Sequence, residues 1–307
     1  MMTPRQPSPQ GQVLARASAA APATCGELAQ GLLDGTSVMV TCPIDLYSTA
    51  TVEVTQGAGV VHGPIDSPKA VKAVALVLRY LERRDLDVWL RLDSPIPRQK
   101  GMASSTADIV SSLAATAAAV DEQLSVQQQA ELALQIEPSD GVMLPGVALF
   151  AHRSGRIAHS LGDPPAMRVL VLEFSHTVDT AVFNSVSRRR ALEAQSARFL
   201  EALHLIVAGI ENGDGRLIGR GATLDALAYQ DVFPNPHLEA VLELGRATGA
   251  RGVNVAHSGT AMGLLYRRDE PQILRAVHHA TRNIPGLTGV HHHRLIGGGS
   301  ASPGQGR

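Results

Sequence analysis

The sequence predicts an α+β fold of two domains. Strand-like and helix-like segments are mixed along the chain without the regular alternation of a doubly wound sheet. A length of 307 residues is enough for two cores of ordinary size. The stretch GDPPAM, from Gly162, is a candidate linker because proline and glycine interrupt regular structure. We therefore expect domains at 13–163 and 167–297, with a disordered tail at 1–12 and a flexible tail at 298–307.

The first domain is predicted to begin with β structure. Val13 to Ala20 and Ser37 to Thr41 are short β-prone segments, and the stretch from Thr49 alternates apolar and polar residues as a half-buried strand does. A helix is expected from Ser67 to Arg84, because an N-cap serine precedes proline and apolar residues recur on one face. The sequence LDVWLRLDSP then alternates again, which predicts another strand.

Two helices and a strand complete this domain. The segment Ser104 to Val120 is rich in alanine, serine and threonine, so this helix is expected to pack closely against a sheet. A second helix, Val126 to Ile136, follows the N-cap residue Ser125. The stretch EPSDGVMLPGVALFAH, from Glu137, is predicted to turn through proline and glycine into a strand.

The second domain is predicted to open with the almost wholly apolar strand MRVLVLEF, from Met167. Amphipathic spacing then predicts helices at Ser185 to Ile210, Arg216 to Ala228, His237 to Thr248 and Pro271 to Asn283. Two β segments, RGVNVAHSG and AMGLLYRR, lie between the last two of these helices, and a closing strand is expected around Val290 to Ile296.

Composition excludes several classes of function. Lys and Arg number 27 against 28 Asp and Glu, and aromatic residues are 3%. The chain therefore has no excess of basic residues to attract nucleic acid and few aromatic side chains to stack on bases. The polar N-terminal segment is unlike a signal peptide, and no apolar run is long enough for a membrane span. Cys25 and Cys42 are expected to be buried thiols in a cytoplasmic protein. Both a monomer and a homodimer are left open.

A candidate anion site lies at the start of the helix from Ser104. The free N–H groups of a helix's first turn, together with the positive end of its dipole, attract a phosphate. Gly101 lets the backbone approach an anion, and the hydroxyls of Ser104, Ser105 and Thr106 suit phosphate oxygens or Mg²⁺. The alternative is an ordinary N-cap cluster. Neither GxxxxGK[ST] nor GxGxxG occurs in the required context.

The segment PRQKGMASSTA, Pro97 to Ala107, resembles the phosphate-loop motif of GHMP kinases. The stretches APATCGELAQG, CPIDLYS, EPSDGVMLPGVALF and AHSGTAMGLL resemble one branch of that family, the L-threonine kinases of cobalamin synthesis. The resemblance implies the GHMP kinase fold, with an N-terminal domain like ribosomal S5 domain 2 and a ferredoxin-like C-terminal domain. It also implies an ATP- and Mg²⁺-dependent kinase that converts L-threonine to O-phospho-L-threonine.

The resemblance assigns roles to residues of the phosphate loop and the EPSD segment. It implies ATP binding by Pro97, Lys100, Gly101, Met102, Ala103, Ser104, Ser105 and Thr106. It implies a Mg²⁺ site at Glu137 with Ser104 and Ser105. Asp140 is the candidate base for the threonine hydroxyl, with Lys100 and Ser104 as further catalytic residues. The alternative for Asp140 is a turn residue in Pro-Ser-Asp-Gly.

A free amino acid needs an anionic partner for its ammonium and donors for its carboxylate. Glu27 and Asp45 are candidates for the ammonium, and their alternative is an ordinary paired surface carboxylate. The predicted pocket is completed by Gln30, Tyr47, Ser48, Ser258, Gly259 and Thr260, with Leu46 or Met143 as an apolar wall for the threonine methyl group. The segment AHSGTAMG departs from the family's usual Gly-rich third motif, so a simple hairpin turn is its alternative.

Two other functions are possible on this fold, and a histidine metal site is not favoured. A GHMP kinase acting on homoserine differs only in pocket contacts. A binding module that has lost catalysis conflicts with the presence of the serine pair, Glu137 and Asp140. A metal site at His291, His292 and His293 conflicts with the alternating directions of side chains along a strand, and His278–His279 likewise do not face each other on a helix.

Overall fold

The structure is a computed structural model that describes residues 12–175 and 187–300. Most of the two predicted tails, and the start of the helix predicted from Ser185, lie outside the described residues. Within the described part the chain mixes helices and strands, and the predicted α+β class is confirmed.

The described chain begins with a long hairpin. Strand β1 spans Ala15–Leu33 and pairs antiparallel with β2, Thr36–Gln56. Asp34 and Gly35 form the two-residue turn with φ of 48° and 73°, as an Asp-Gly turn between twisted strands requires. The prediction of separate short strands was wrong here. Register shifts interrupt the pairing, so the period-two pattern that marks a strand is lost in the middle of β1.

The rest of the N-terminal half packs on this hairpin. Its elements are β3 Val61–His62, α1 Pro68–Tyr80, β4 Leu86–Asp93, α2 Ser104–Ala119, α3 Val126–Leu134, β5 Val147–Phe150 and β6 Ala158–Gly162. The three predicted helices and the strand after α1 are found, although α1 and α3 end before the predicted residues. The short strands β3 and β6 were not predicted, because neither shows an alternating apolar pattern.

The C-terminal half has a ferredoxin-like order of strands. Its elements are β7 Met167–Phe174, α4 Arg189–Ala194, α5 Ser196–Glu211, α6 Gly215–Tyr229, α7 Leu238–Thr248, β8 Gly252–Val255, β9 Met262–Arg267, α8 Ile273–Asn283 and β10 Leu287–Leu295. The strands lie in the order β8-β9-β7-β10, and every neighbouring pair is antiparallel. The predicted helix that ends at Ile210 is divided at Gln195 into α4 and α5.

Strands of the two halves are joined by hydrogen bonding. Glu27 of β1 pairs with Val255 of β8, and Leu295 of β10 pairs with Ile44 of β2. One apolar core lies around β1, β2 and α2, and it also includes residues of β7 and of α5. None of the helices in 12–175 and 187–300 is long and apolar enough to cross a bilayer.

Helix α2 lies in the centre of the N-terminal half. Twelve of its 16 residues are buried, so its N-terminus is held in a fixed position. Small side chains make this burial tolerable, and the hydroxyls of Ser112 and Thr116 donate to helix carbonyls four residues earlier, at 2.7 Å. The expected close packing of this helix is confirmed.

Candidate active site

The loop before α2 has an alternating backbone conformation. Gln99, Gly101 and Ala103 have positive φ, at 60°, 80° and 56°. Such alternation turns successive N–H groups toward one point and forms a nest for an anion. Ala103 is the N-cap residue and makes no side-chain cap hydrogen bond, so the serines occupy the first turn and not the cap. The start of α2 therefore has the geometry of a phosphate site.

The carbonyl groups of this loop accept hydrogen bonds from neighbouring backbone N–H groups. The Lys100 carbonyl accepts hydrogen bonds from the N–H groups of Thr260 and Ala261, at 3.1 and 2.9 Å. The Gly101 carbonyl accepts one from Gly26 of β1, at 3.1 Å. The loop is thus fixed between β1 and the turn that connects β8 to β9. These hydrogen bonds use the loop carbonyls and leave its N–H groups available to a ligand.

Two glycines permit this close approach. A Cβ on Gly101 would overlap the Cβ of Ala256, and a Cβ on Gly259 would overlap the backbone of Lys100. Gly101 also has φ of 80°, which a residue with a side chain rarely adopts. The lack of a side chain at Gly259 therefore lets the turn between β8 and β9 pack against the loop.

A cleft of about 300 Å³ opens in front of the loop. It is lined by the start of α1, the loop, the first turn of α2 and the segment after α3, and it includes Gly101, Met102, Ala103, Ser104, Ser105, Thr106, Glu137, Asp140 and Ser258 among the predicted site residues. Asp66, Lys69, Arg98 and Asp108 also line it and were not predicted. Pro97 and Lys100 are not among the lining residues.

Two carboxylates are bonded to the first turn of α2. The Ser105 hydroxyl donates to Glu137, whose other carboxylate oxygen pairs with the ammonium of Lys69 on α1. The Thr106 hydroxyl accepts the Asp140 N–H at 3.3 Å and lies 3.5 Å from the Asp140 carboxylate. Burial, and secondarily the charge of Glu137, raises the pKa of Asp140 to about 6. A carboxylate and an acidic group with a raised pKa therefore flank the candidate phosphate site.

Lys100 has a different orientation from the one expected for a phosphate ligand. Its ammonium donates to the Phe174 carbonyl, at the end of β7. In the structure this side chain therefore connects the loop with the C-terminal half.

A bulge in β1 directs two polar side chains to the same place. Glu27 pairs with Thr41 and Ala29 pairs with Val40, so one extra residue lies between them on β1. Residues 27 and 30 would face opposite sides of a regular strand. Here both contact His257: its backbone N–H donates to the Glu27 carboxylate, and its Nδ1 lies 2.7 Å from Gln30 Oε1.

Several polar atoms in this region are buried without a hydrogen-bond partner. Among the described residues they include Glu27 Oε2, Gln30 Nε2 and both ring nitrogens of His152. The His152 ring lies edge-on to that of His257, with centroids 4.9 Å apart. Leaving such a group unsatisfied costs roughly 1–3 kcal/mol, so these atoms suit a polar ligand. Burial, followed by the charges of Asp140 and Asp225, raises the pKa of Glu27 well above its usual value.

Helix α6 brings two further residues to this region. Asp225 Oδ1 accepts the Gln30 N–H at 3.1 Å, and the Tyr229 hydroxyl donates to the His257 carbonyl at 3.0 Å. Burial raises the pKa of Asp225 well above its usual value. No sequence motif marks either residue, because both are distant along the chain from β1. The available signal was an aspartate beside Ala222 and Ala226 on an apolar helix face.

The predicted substrate residues of β2, Asp45, Tyr47 and Ser48, have other contacts. Asp45 lies on β2 and binds the Arg294 N–H and Nε, each at 2.7 Å, which ties β2 to β10. Partial burial raises the pKa of Asp45, but the hydrogen bonds from Arg294 outweigh that effect and hold it below its usual value. Tyr47 is half-buried on the same strand, and neither residue lines the cleft. The Ser48 hydroxyl donates at 2.6 Å to Asp108, which does line it.

Known proteins resemble this chain in sequence and in fold. Residues 50–151 match the family model for the GHMP kinases N terminal domain, and residues 206–282 match that for GHMP kinases C terminal. An L-threonine kinase of Salmonella typhimurium is 35% identical over 259 residues, 84% of this chain and 86% of that protein. An L-threonine kinase of Citrobacter freundii is 34% identical over 84% of this chain and 88% of that protein.

A solved structure agrees at the level of fold. The crystal structure of homoserine kinase from Cytophaga hutchinsonii superposes with a TM-score of 0.71, covering 96% of this chain and 99% of that one. The sequences are 18% identical, so this likeness concerns architecture alone.

Proposed function

The chain belongs to the GHMP kinases, a family of phosphotransferases, and we propose that it transfers the γ-phosphate of ATP to the side-chain hydroxyl of L-threonine. The product would be O-phospho-L-threonine, and we propose its use in cobalamin synthesis from the resemblance of the sequence motifs. The observation that carries the proposal is the meeting of Glu137 and Asp140 with the first turn of α2.

Phosphate binding is assigned to the backbone of the loop and the start of α2. The N–H groups of 101–106 and the positive end of the helix dipole would bind the β- and γ-phosphates. Ser104 lines the cleft and offers a further hydroxyl. Because the loop is held through its carbonyls, these donors need no rearrangement before ATP arrives.

The Mg²⁺ proposal rests on two oxygen donors that line the cleft. The Ser105 hydroxyl and the Glu137 carboxylate are hard oxygen donors in contact with each other, which suits Mg²⁺. In the described part of the chain no three His, Cys, Asp or Glu residues form a metal cluster, so phosphate oxygens and water would complete the coordination. Bound Mg²⁺ would neutralise charge on the transferred phosphoryl group.

Asp140 is proposed to accept the proton of the threonine hydroxyl. Its pKa of about 6 leaves it ionised at neutral pH while keeping it basic enough for proton transfer. Thr106 holds its carboxylate next to α2. We propose that Lys69 orients Glu137 through their ion pair, and that Lys100 contributes through the loop it anchors.

The amino-acid pocket is proposed to lie at the bulge of β1. Glu27 would bind the ammonium of L-threonine and Gln30 would donate to its carboxylate, since both have unpartnered buried atoms. We keep 13–163 and 167–297 as proposed domain bounds, because β6 ends at Gly162 and β7 begins at Met167. A cytoplasmic location is proposed from the two buried, unpaired cysteines.

A substrate panel tests this function. ADP release would be measured with Mg·ATP and L-threonine, L-serine, L-homoserine or mevalonate, and phosphothreonine would be identified by ³¹P NMR. We expect kcat/KM for L-threonine to exceed that for L-serine about 10-fold or more, because a methyl group in an apolar pocket gives that discrimination. Preference for L-homoserine would support the alternative homoserine kinase function. ATP binding without turnover on any of these compounds would indicate a non-catalytic module.

A further inference from the structure

Helix α6 places an acidic side chain in the interior, beside the bulge of β1. Asp225 is 2% exposed, and one of its oxygens is used by the Gln30 N–H. One turn later on the same face, Tyr229 binds His257. The helix is thus connected to the proposed amino-acid pocket at two points, through Gln30 and through His257.

Glu27 and Asp225 are two buried acidic residues without a counter-ion, and Gln30 connects them: its N–H donates to Asp225, and its side chain shares the contact with His257 that Glu27 makes. Glu27 is 3% exposed and its Oε2 has no hydrogen-bond partner. Neither residue has an ion pair within 12–175 or 187–300. Burying an acidic group in this way is unfavourable unless a cation or a donor set compensates it. The raised pKa values of both groups reflect this cost, and a positively charged partner at this place would relieve it.

The chemistry of the neighbouring atoms identifies that partner. Gln30 Nε2 is a buried donor with no acceptor, and the unpartnered ring of His152 offers one further N–H. An α-amino acid matches the whole set, because its ammonium supplies three donors to the carboxylates and its carboxylate accepts from the amide and the imidazole. A simple metal cation would leave the amide donor unsatisfied.

We propose that Asp225 and Glu27 jointly bind the α-ammonium of the amino-acid substrate, and that Asp225 determines selectivity for α-amino acids over hydroxy acids that lack the amino group. This inference rests on the proposed function and adds a specificity residue to the same site. A hydroxy acid would bring no ammonium donor to these two acidic groups, and sites built for a hydrogen-bonding group reject analogues that lack it. The substrate head group would therefore be held by both halves of the chain.

The test compares Asp225→Asn with the wild type on L-threonine and on (R)-3-hydroxybutyrate, which lacks only the amino group. We expect KM for L-threonine to rise about 30-fold or more, since charged hydrogen bonds contribute strongly to binding, with kcat changed by less than about 3-fold. KM for ATP and for (R)-3-hydroxybutyrate should stay near the wild-type values. Asp231→Asn is the matched control, because Asp231 is exposed just beyond α6 and binds Gln195.

Two outcomes would overturn the inference. One is an unchanged KM for L-threonine in Asp225→Asn, and the other is an equal loss on both substrates, which would indicate a structural role for Asp225. If the variant does not fold, the wild type still tests whether the site recognises the ammonium group. There (R)-1-amino-2-propanol, which keeps the amino group and lacks the carboxylate, should inhibit more strongly than (R)-3-hydroxybutyrate, and the reverse order would contradict the proposal.

Calorimetric binding of L-threonine separates this inference from the proposed kinase function. If the wild type binds L-threonine without phosphorylating it and Asp225→Asn weakens that binding, the function fails and the inference stands. If the wild type phosphorylates L-threonine and Asp225→Asn keeps full selectivity, the function stands and the inference fails.

Discussion

At the scale of single residues, Glu137 is the point where α1, α2 and the segment after α3 meet, through Lys69 and Ser105. We expect Glu137→Gln to lower kcat about 100-fold or more and to raise the Mg²⁺ concentration needed for half-maximal rate, because a neutral amide is a poor Mg²⁺ ligand. Steady-state kinetics over a Mg²⁺ titration measures both effects. Glu131→Gln, an exposed change on α3, should behave as wild type. Wild-type Mg²⁺ dependence in Glu137→Gln would remove this residue from the metal site.

The pKa of Asp140 gives a second test at this scale. A base with a pKa of about 6 is protonated and inactive at lower pH. We therefore expect kcat/KM for L-threonine to rise with pH through about 6 and then to level off. Asp140→Asn should lower the plateau about 100-fold or more and abolish that inflection. An unchanged pH profile in Asp140→Asn would assign Asp140 to the turn alone.

Sequence reasoning located residues that are close together along the chain. Ser105, Glu137 and Asp140 were predicted because the phosphate-loop and EPSD motifs are contiguous. In the structure Ser105 binds Glu137, and Thr106 lies beside Asp140. Lys69 and Asp225 were missed because their roles arise from contacts across the fold, which no local pattern encodes.

At the scale of elements, the proposed phosphate site depends on the conformation of the loop before α2. We expect Gly101→Ala to weaken ATP binding about 10-fold or more, because its Cβ would overlap Ala256 and because alanine disfavours positive φ. Gly213→Ala is the matched control, since Gly213 has φ of 65° with no atom nearby. Calorimetry with ATP measures the difference. Equal ATP affinity in both variants would show that the loop adapts to the added methyl group.

Elements of uniform composition were predicted from the sequence, and irregular ones were not. Helix α2 is rich in small residues and strand β7 is almost wholly apolar, so both were predicted close to their observed bounds. The middle of β1 was missed because its bulges break the alternation. Those bulges also direct Glu27 and Gln30 toward His257, so the feature that breaks the sequence pattern forms the proposed amino-acid pocket.

At the scale of the whole molecule, buried carboxylates reduce the stability of the free protein at neutral pH. The pKa of Asp140 rises from 3.8 to about 6, so this group stabilises the folded state below its unfolded pKa and loses that effect as pH rises through about 6. We expect Asp140→Asn to unfold at a temperature several degrees above wild type at pH 7, corresponding to about 2 to 3 kcal/mol, and to match wild type near pH 4.

Thermal unfolding at both pH values measures this difference. The buried His152, whose pKa falls to about 4 through burial, acts in the opposite direction, but it is present in both proteins and cancels in the comparison. Equal unfolding temperatures at pH 7 would mean that burial of the ionised Asp140 does not lower the stability of the folded state.

The hydrogen bonds behind the phosphate loop have a consequence for the entropy of nucleotide binding. The N–H groups of Gly26, Thr260 and Ala261 hold the loop carbonyls before any ligand is present, so the loss of backbone freedom belongs to the folding reaction. ATP would therefore meet a rigid receptor, and its association should proceed without a slow ordering step. Any change that loosens the turn between β8 and β9 would transfer that entropy loss to the binding step, and affinity for ATP would fall although no residue in contact with it had changed.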